Sequence, residues 1–148
     1  MKSDLDALMQ ARGLDALVVL GGTEHNPLMY YFVGGGHISD ALLVKKRGAA
    51  PVLFYNDMER EEAARSGLAT RSFSEFDLNE LEKQANGDSS LVLALRLQRI
   101  LEEFELTHGR LGVYGKVEFS SAFGMVMKLQ SLMPDLECIG EAALIRFS

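Results

Sequence analysis

The sequence has little of the residues that cross-link small domains or carry metal and nucleophile chemistry. Its 148 residues include one cysteine, three histidines, three prolines and no tryptophan. A lone cysteine, Cys138, cannot form an internal disulfide, which predicts a protein of a reducing compartment with Cys138 as an inert core thiol. The sequence contains no H-E-x-x-H motif and no paired-cysteine spacing, so we expect no metal site and no catalytic residue in this chain.

Long apolar runs and an excess of positive charge are also missing. No segment approaches the roughly 20 apolar residues of a membrane span, and the N-terminus lacks the apolar core of a signal peptide. The net charge is −6. The cationic run Lys45-Lys46-Arg47 is expected at a solvated hairpin turn and is too short for a phosphate-binding footprint. The sequence therefore predicts a cytoplasmic protein that binds neither nucleic acid nor membranes.

The composition is that of a globular protein, with 47% hydrophobic and 24% charged residues. A chain of this length buries enough surface to fold without a disulfide or a metal, which predicts one domain over residues 1–148. We find no internal repeat, low-complexity segment or linker.

Hydrophobic periodicity predicts helices that alternate with strands. The first predicted helix covers Leu5–Arg12 and is capped by Gly13, and a short second helix runs from Asn26-Pro27 to Gly34. A third helix begins at a capping pair of Asn56 and Glu59 and ends at Gly67. Two longer helices cover Ser90–Leu106, with Ser89 as the cap, and Phe119–Met133. Predicted strands cover Asp15–Leu20, a hairpin of Ala41–Lys46 and Pro51–Asn56, Thr70–Phe73, Leu111–Tyr114 and Leu136–Ile139. The acidic stretch 75–88 is compatible with a helix or a loop. This order predicts an α/β fold with a mixed, partly antiparallel sheet of about six strands flanked by helices.

Two glycine clusters are the most site-like features of the chain. Gly21-Gly22 follows a strand and precedes a helix, where phosphates often bind, but the G-x-G-x-x-G and P-loop patterns are incomplete, which favours tight turns. Gly34-Gly35-Gly36 precedes His37, and three successive glycines suggest a close approach of the backbone to another surface. A mobile, solvated loop is the alternative for this second segment.

The order of these features resembles the N-terminal domain of the creatinase, prolidase and Xaa-Pro aminopeptidase family. Members of that family commonly carry N-P-x-x-x-Y-L-T-G after the first strand. Asn26, Pro27, Tyr31 and Gly34 match this pattern, while Phe32 and Val33 stand where leucine and threonine are usual. The segment 142–146 is similar to the stretch that leads those proteins into their catalytic domain.

The resemblance implies a ribonuclease H-like arrangement and a non-catalytic role. In the family, two divalent metal ions lie in a C-terminal pita-bread domain, which is expected to follow Ser148. The chain alone is therefore expected to be inactive, and its parent to be an Xaa-Pro metallopeptidase or a creatinase-like amidinohydrolase. The resemblance also implies a homodimer in which this domain helps to wall the substrate pocket, with His37 as the candidate wall residue.

Two other interpretations stay open at this stage. One is a free-standing α/β domain that binds a small molecule with Gly21-Gly22 and Gly34–Gly36 at the strand ends. The other is an assembly module that dimerises and binds no small molecule.

Overall fold

Six strands form one sheet in the computed structural model, which describes residues 2–141. The strands are β1 (Ala16–Leu20), β2 (Ala41–Lys46), β3 (Val52–Tyr55), β4 (Ala69–Ser72), β5 (Gly109–Gly115) and β6 (Leu136–Gly140). They lie in the order β4-β3-β2-β1-β5-β6. β2 is antiparallel to both of its neighbours, and the other three pairs are parallel. The predicted mixed sheet of about six strands is thereby confirmed.

Helices cover both faces of this sheet. They are α1 (Lys2–Ala11), α2 (Pro27–Val33), α3 (Arg60–Arg65), α4 (Leu78–Ala85), α5 (Ser89–Glu103) and α6 (Phe119–Leu132), with short 3₁₀ turns at Asp57–Glu59 and Phe73–Glu75. Buried side chains of α1, α2 and α3 form one core with the sheet, and those of α5 and α6 form the other. α4 packs against α5.

β1 lies at the centre of the sheet, and all five of its residues are buried. Alternate side chains of a strand point to opposite faces. Val18 therefore joins the core under α5 and α6, while Leu17 and Val19 join the core under α1 and α2. Burial on both faces explains why this segment is an unbroken apolar run rather than an alternating one.

Several helix boundaries differ from the sequence prediction. Asp88, rather than Ser89, caps α5, because its carboxylate accepts a hydrogen bond from the Leu91 N–H at 3.2 Å. The expected capping box of Asn56 and Glu59 does not form; Asn56 makes no capping bond, and the chain enters α3 through a 3₁₀ turn. The undecided stretch 75–88 contains α4. Gly13 adopts φ +71° after α1, as its predicted cap role requires.

Only Arg47 of the cationic run 45–47 lies in a solvated turn, because Lys45 and Lys46 belong to β2. Lys45 is 3% exposed, and its Nζ donates to Asp6 Oδ1 at 2.6 Å and to the Ala49 carbonyl at 2.7 Å. Lys46 donates to the Phe104 carbonyl at 2.9 Å. A buried ammonium group needs such partners, so the run ties the end of β2 to the loops around it. The prediction of a solvated turn holds for Arg47 and was wrong for the two lysines, because residue type alone does not reveal which lysine faces inward.

Two further predictions concern the end of the chain. Cys138 lies on β6 and is half-buried rather than fully buried, and desolvation raises the pKa of its thiol, as expected for an inert thiol. The segment 142–146, which carries part of the family resemblance, lies outside the described residues.

Candidate functional site

The matched family motif builds the start and the end of α2. Asn26 is buried; its Nδ2 donates to the Leu20 carbonyl at 2.9 Å, and its Oδ1 accepts from the Met29 N–H at 3.4 Å. Pro27 occupies the first helical turn. Gly34 adopts φ +79° and closes the helix with a 2.8 Å bond to the Tyr30 carbonyl. These motif residues therefore fix a short helix to the end of β1, which is a structural role.

The aromatic residues of α2 differ in exposure. A helix this short must dock on the sheet to be stable, which predicts that Tyr31 and Phe32 are both largely buried. Phe32 is 2% exposed and packs in the core, as this prediction requires. Tyr31 is only half-buried, and its ring meets the Phe32 ring edge-on with the two centroids 5.3 Å apart. Tyr30 is exposed. A helix of seven residues can bury one face only, so neighbouring residues on it cannot all point to the core.

The loop that carries His37 is anchored through its backbone. The His37 N–H donates to Glu62 Oε2 at 3.4 Å, and the Ser39 N–H donates to Glu59 Oε2 at 2.7 Å. Between them, Ile38 is buried and its N–H donates to Thr23 Oγ1 at 3.2 Å. The imidazole of His37 is exposed. This arrangement places His37 at the surface on a loop whose backbone is hydrogen-bonded at three successive residues.

The first glycine cluster forms a tight turn. A side chain at Gly22 would place its Cβ 2.5 Å from the Ile38 carbonyl oxygen, and one at Gly21 would place it 2.6 Å from the Lys116 carbonyl oxygen. Gly21 also has φ +103°. Because backbone already fills the space beside both residues, both positions require glycine, as a tight turn does.

Polar side chains gather where β3 and β4 end. The Ser72 hydroxyl donates to Asp57, and Ser74 Oγ donates to Asp57 Oδ1 at 3.4 Å. The Ser72 bond is the main cause that lowers the pKa of Asp57. Nearby, Asn56 Nδ2 donates to Asp40 Oδ2 at 3.3 Å. These carboxylates are therefore hydrogen-bonded to the adjoining turns.

Beside this cluster lies a cavity of about 210 Å³, which we term the Arg96 cavity. It is lined mainly by apolar side chains of β1, β2, α5 and α6, together with Asp40, Arg96 and Ser121. The Cζ of Arg96 lies 3.8 Å from the centroid of the Phe73 ring. Burial lowers the pKa of the guanidinium, and the charge of Asp40 opposes this shift. The sequence reasoning missed this site, although Arg96 interrupts the apolar face of α5 between Leu93 and Ile100.

An apolar surface lies on the outer side of α6 and the loop before it. It comprises Val117, Phe119, Phe123 and Met127, and we term it the α6 surface. Phe119 is 75% exposed and Phe123 is 56% exposed, and their rings stack with centroids 5.6 Å apart. The helix predicted over Phe119–Met133 is confirmed, and its buried core contacts are made by Met125 and Leu129 rather than by the two phenylalanines.

Among residues 2–141, no three histidine, cysteine, aspartate or glutamate side chains cluster closely enough to hold a metal ion. In the same range, no helix has the length and apolar character needed to cross a bilayer.

The strand order and the helices on both faces define an open α/β domain, and comparison with known proteins gives its family. The family profile described as Creatinase/Prolidase N-terminal domain matches residues 2–146. The chain therefore belongs to this family, as the motif around α2 indicated. A comparison with curated proteins found no match.

Solved structures with the same fold come from peptidases. The X-Pro aminopeptidase from Thermotoga maritima MSB8 matches 95% of this chain with a TM-score of 0.62 and 12% identity. The dipeptidase from Pyrococcus horikoshii OT3 matches 97% with a TM-score of 0.58 and 17% identity. This chain spans about one third of each enzyme, 33% and 34% respectively.

A third similar structure is itself an isolated domain. The N-terminal domain of cytoplasmic peptidase PepQ from Mycobacterium tuberculosis H37Rv matches 97% of this chain with a TM-score of 0.61 and 15% identity. This chain covers 93% of that domain. At these identities the likeness shows the fold.

Proposed function

We propose that this chain is the non-catalytic N-terminal domain of a metal-dependent Xaa-Pro peptidase of the cytoplasm. The observation that carries the proposal is the family match over residues 2–146, together with structural neighbours named as X-Pro peptidases and their N-terminal domains. These neighbours favour a peptidase over an amidinohydrolase as the parent. The match covers the non-catalytic part of such enzymes, so the role proposed for this chain is binding and positioning.

The two metal ions of the family are assigned by this proposal to a separate catalytic domain. The described residues 2–141 do not fit a two-metal centre, because no cluster of three ligand side chains occurs among them. Such a centre needs several carboxylate or imidazole ligands to activate water. No step of bond cleavage is therefore assigned to this chain.

Self-association is a second part of the proposal. The α6 surface places two stacked phenylalanines and a methionine in solvent, and exposed apolar patches of this kind mark interaction sites. We propose that it contributes to a homodimer.

His37 is proposed as a wall of the substrate pocket in the assembled enzyme. Its backbone is held by Glu62 and its imidazole is exposed, so the side chain is available to a partner surface. A histidine in this position would orient the substrate without taking part in bond cleavage.

Hydrolysis of an X-Pro dipeptide tests the main proposal. The 148-residue chain, incubated with Mn²⁺, Co²⁺ or Zn²⁺, is expected to show no turnover. Extension of the reading frame past Ser148 is expected to encode a domain with an Asp/Asp/His/Glu/Glu metal set, and the extended protein is expected to hydrolyse the dipeptide. Metal-dependent turnover by the short chain would contradict the proposal.

A substitution tests the role of His37. In the extended protein, His37→Ala is expected to raise KM for the dipeptide several-fold while kcat and metal content stay unchanged. His25→Ala is the matched control, because His25 is also highly exposed and lies on a different loop of the same domain. If His37→Ala and His25→Ala had the same KM and kcat, His37 would be an ordinary surface residue with no role in the substrate pocket.

A further inference from the structure

We propose that the Arg96 cavity binds a small organic carboxylate, with its carboxylate group on the guanidinium and its apolar body between α5 and α6. The site lies wholly within the described residues and does not include His37. It adjoins the α6 surface at Val117, so its test uses Arg96 and Ala122, which lie outside that surface. Ligand binding in the cavity can therefore be tested separately from the proposed peptidase function.

The position of the cavity within the sheet supports ligand binding. From β1 the chain builds β2, β3 and β4 on one side, and it later adds β5 and β6 on the other side. Ligands of open α/β sheets bind in the crevice outside the carboxyl ends of the strands, at the point where the strand order reverses. Leu20 and Gly21, at the carboxyl end of β1, line the cavity, and Val117 lines it from the segment after β5.

Arg96 supplies an unused set of hydrogen-bond donors. The Cζ of the guanidinium lies 3.8 Å from the centroid of the Phe73 ring, a cation–π contact that holds the group beside the ring. Among the described residues no carboxylate lies within ion-pairing distance of Arg96 and no group accepts a hydrogen bond from it. A planar guanidinium held in this way presents its N–H edge for two parallel bonds to a carboxylate.

The neighbouring carboxylates make no direct ion pair with this group, although the charge of Asp40 acts on it. Glu75 pairs with Arg71 at 2.6 Å, and Asp57 accepts bonds from Ser72 and Ser74. Asp40 accepts a bond from Asn56 at 3.3 Å and lines the cavity without pairing with Arg96. Asp40 would repel a second negative charge on the ligand, so the site favours a monoanion.

The walls define the rest of the ligand. Leu42 and Met125 are buried core residues that line the cavity, and Ala122 and Leu93 complete its apolar side. α6 comes close to α5 because Gly124 has no side chain; a Cβ there would lie 2.5 Å from Ser90 Oγ. The resulting space of about 210 Å³ is small, which suits a branched aliphatic acid rather than a nucleotide.

The test uses 4-methylpentanoate as the probe and the 148-residue chain labelled with ¹³C at the methionine methyl groups. Met125 lines the cavity, whereas Met9 is fully buried on the other face of the sheet. Addition of the acid is expected to shift the Met125 methyl signal in a saturable way and to leave Met9 unchanged. The neutral isostere 4-methylpentanamide is expected to bind about tenfold more weakly, since it lacks the charge-assisted bonds.

Two substitutions separate the role of the guanidinium from general effects. Arg96→Gln is expected to weaken binding of the acid about tenfold and to leave binding of the amide unchanged. Arg99→Gln is the matched control on the same helix, because Arg99 bonds to Gln84 on α4 and does not line the cavity. Should Arg96→Gln fail to fold, Ala122→Leu keeps the arginine, fills the cavity and is expected to abolish the Met125 shift.

Three results would overturn the proposal. One is the lack of a Met125 shift with the acid at any concentration tested. Another is equal affinity for the acid and the amide. The third is unchanged binding of the acid in Arg96→Gln, or in Ala122→Leu if that is the variant that folds.

Discussion

Single residues decide how the end of β2 is held, and Lys45 is the clearest case. Lys45→Ala is expected to lower the free energy of unfolding by about 1–3 kcal/mol, because it leaves Asp6 and the Ala49 carbonyl without their charged donor. Lys128→Ala is the control, since its exposed ammonium lies 3.4 Å from Asp88 and such pairs contribute about 1 kcal/mol or less. Urea unfolding at neutral pH measures both values, and equal losses would contradict the role given to Lys45.

Asp6, the partner of Lys45, is expected to make the stability of the protein depend on pH. The Gly48 N–H, and after it Lys45, lower the pKa of Asp6 from 3.8. A carboxylate whose pKa falls on folding stabilises the protein above its unfolded pKa, and this contribution disappears as the pH falls through the folded value. Asp6→Asn is therefore expected to be less stable than the wild type at pH 7 and to approach it in stability as the pH falls below 3.8 and through the lower pKa of the folded state. A difference that stays constant with pH would contradict this account.

Some roles of individual residues could be predicted from the sequence, and others could not. The roles of Asn26, Pro27 and Gly34 could be predicted because capping depends on residue type and local order. The burial of Lys45 and the free guanidinium of Arg96 could not, since both depend on distant elements. Arg96 did leave a signal, because a charged residue inside an apolar helix face must find a partner, an aromatic surface or a ligand.

Among the elements, α2 depends most on docking. A helix of seven residues is too short to be stable alone, so its buried face must supply its stability. Phe32→Ala is expected to cost about 3–5 kcal/mol, whereas truncation of its exposed neighbour, Tyr30→Ala, is expected to cost under about 1 kcal/mol. Thermal or urea unfolding of the two variants measures the difference, and a small effect of Phe32→Ala would show that α2 is not docked.

The types of the main elements were predictable, whereas their ends and outer faces were less so. β1 was recognised because a run of five apolar residues is too short for a buried helix. The observed cap of α5 lies one residue before the predicted one. Asp88 and Ser89 are both good capping residues, and only the backbone geometry decides between them. On α6 the apolar residues surround more than one face, so periodicity could not show that Phe119 and Phe123 point to solvent.

For the whole molecule, family membership and fold agree, and they limit what this domain can do. Its described residues contain a fixed surface histidine, an apolar surface on α6 and a cavity with a free guanidinium. His37 belongs to a loop after α2, while the Arg96 cavity and the α6 surface lie on the side of α5 and α6. The proposed substrate contact therefore lies apart from the other two, whereas the Arg96 cavity and the α6 surface adjoin at Val117.

The whole domain is expected to self-associate through the α6 surface. Sedimentation of the 148-residue chain over a hundredfold concentration range is expected to show a rise in average mass, because the α6 surface loses contact with water when two copies meet. The double substitution Phe119→Ser and Phe123→Ser is expected to abolish the rise. Tyr30→Ser is the control, since it removes an exposed aromatic ring from α2, which packs on the opposite face of the sheet. A constant mass for the unaltered chain would mean that this domain pairs in its parent only through a neighbouring domain.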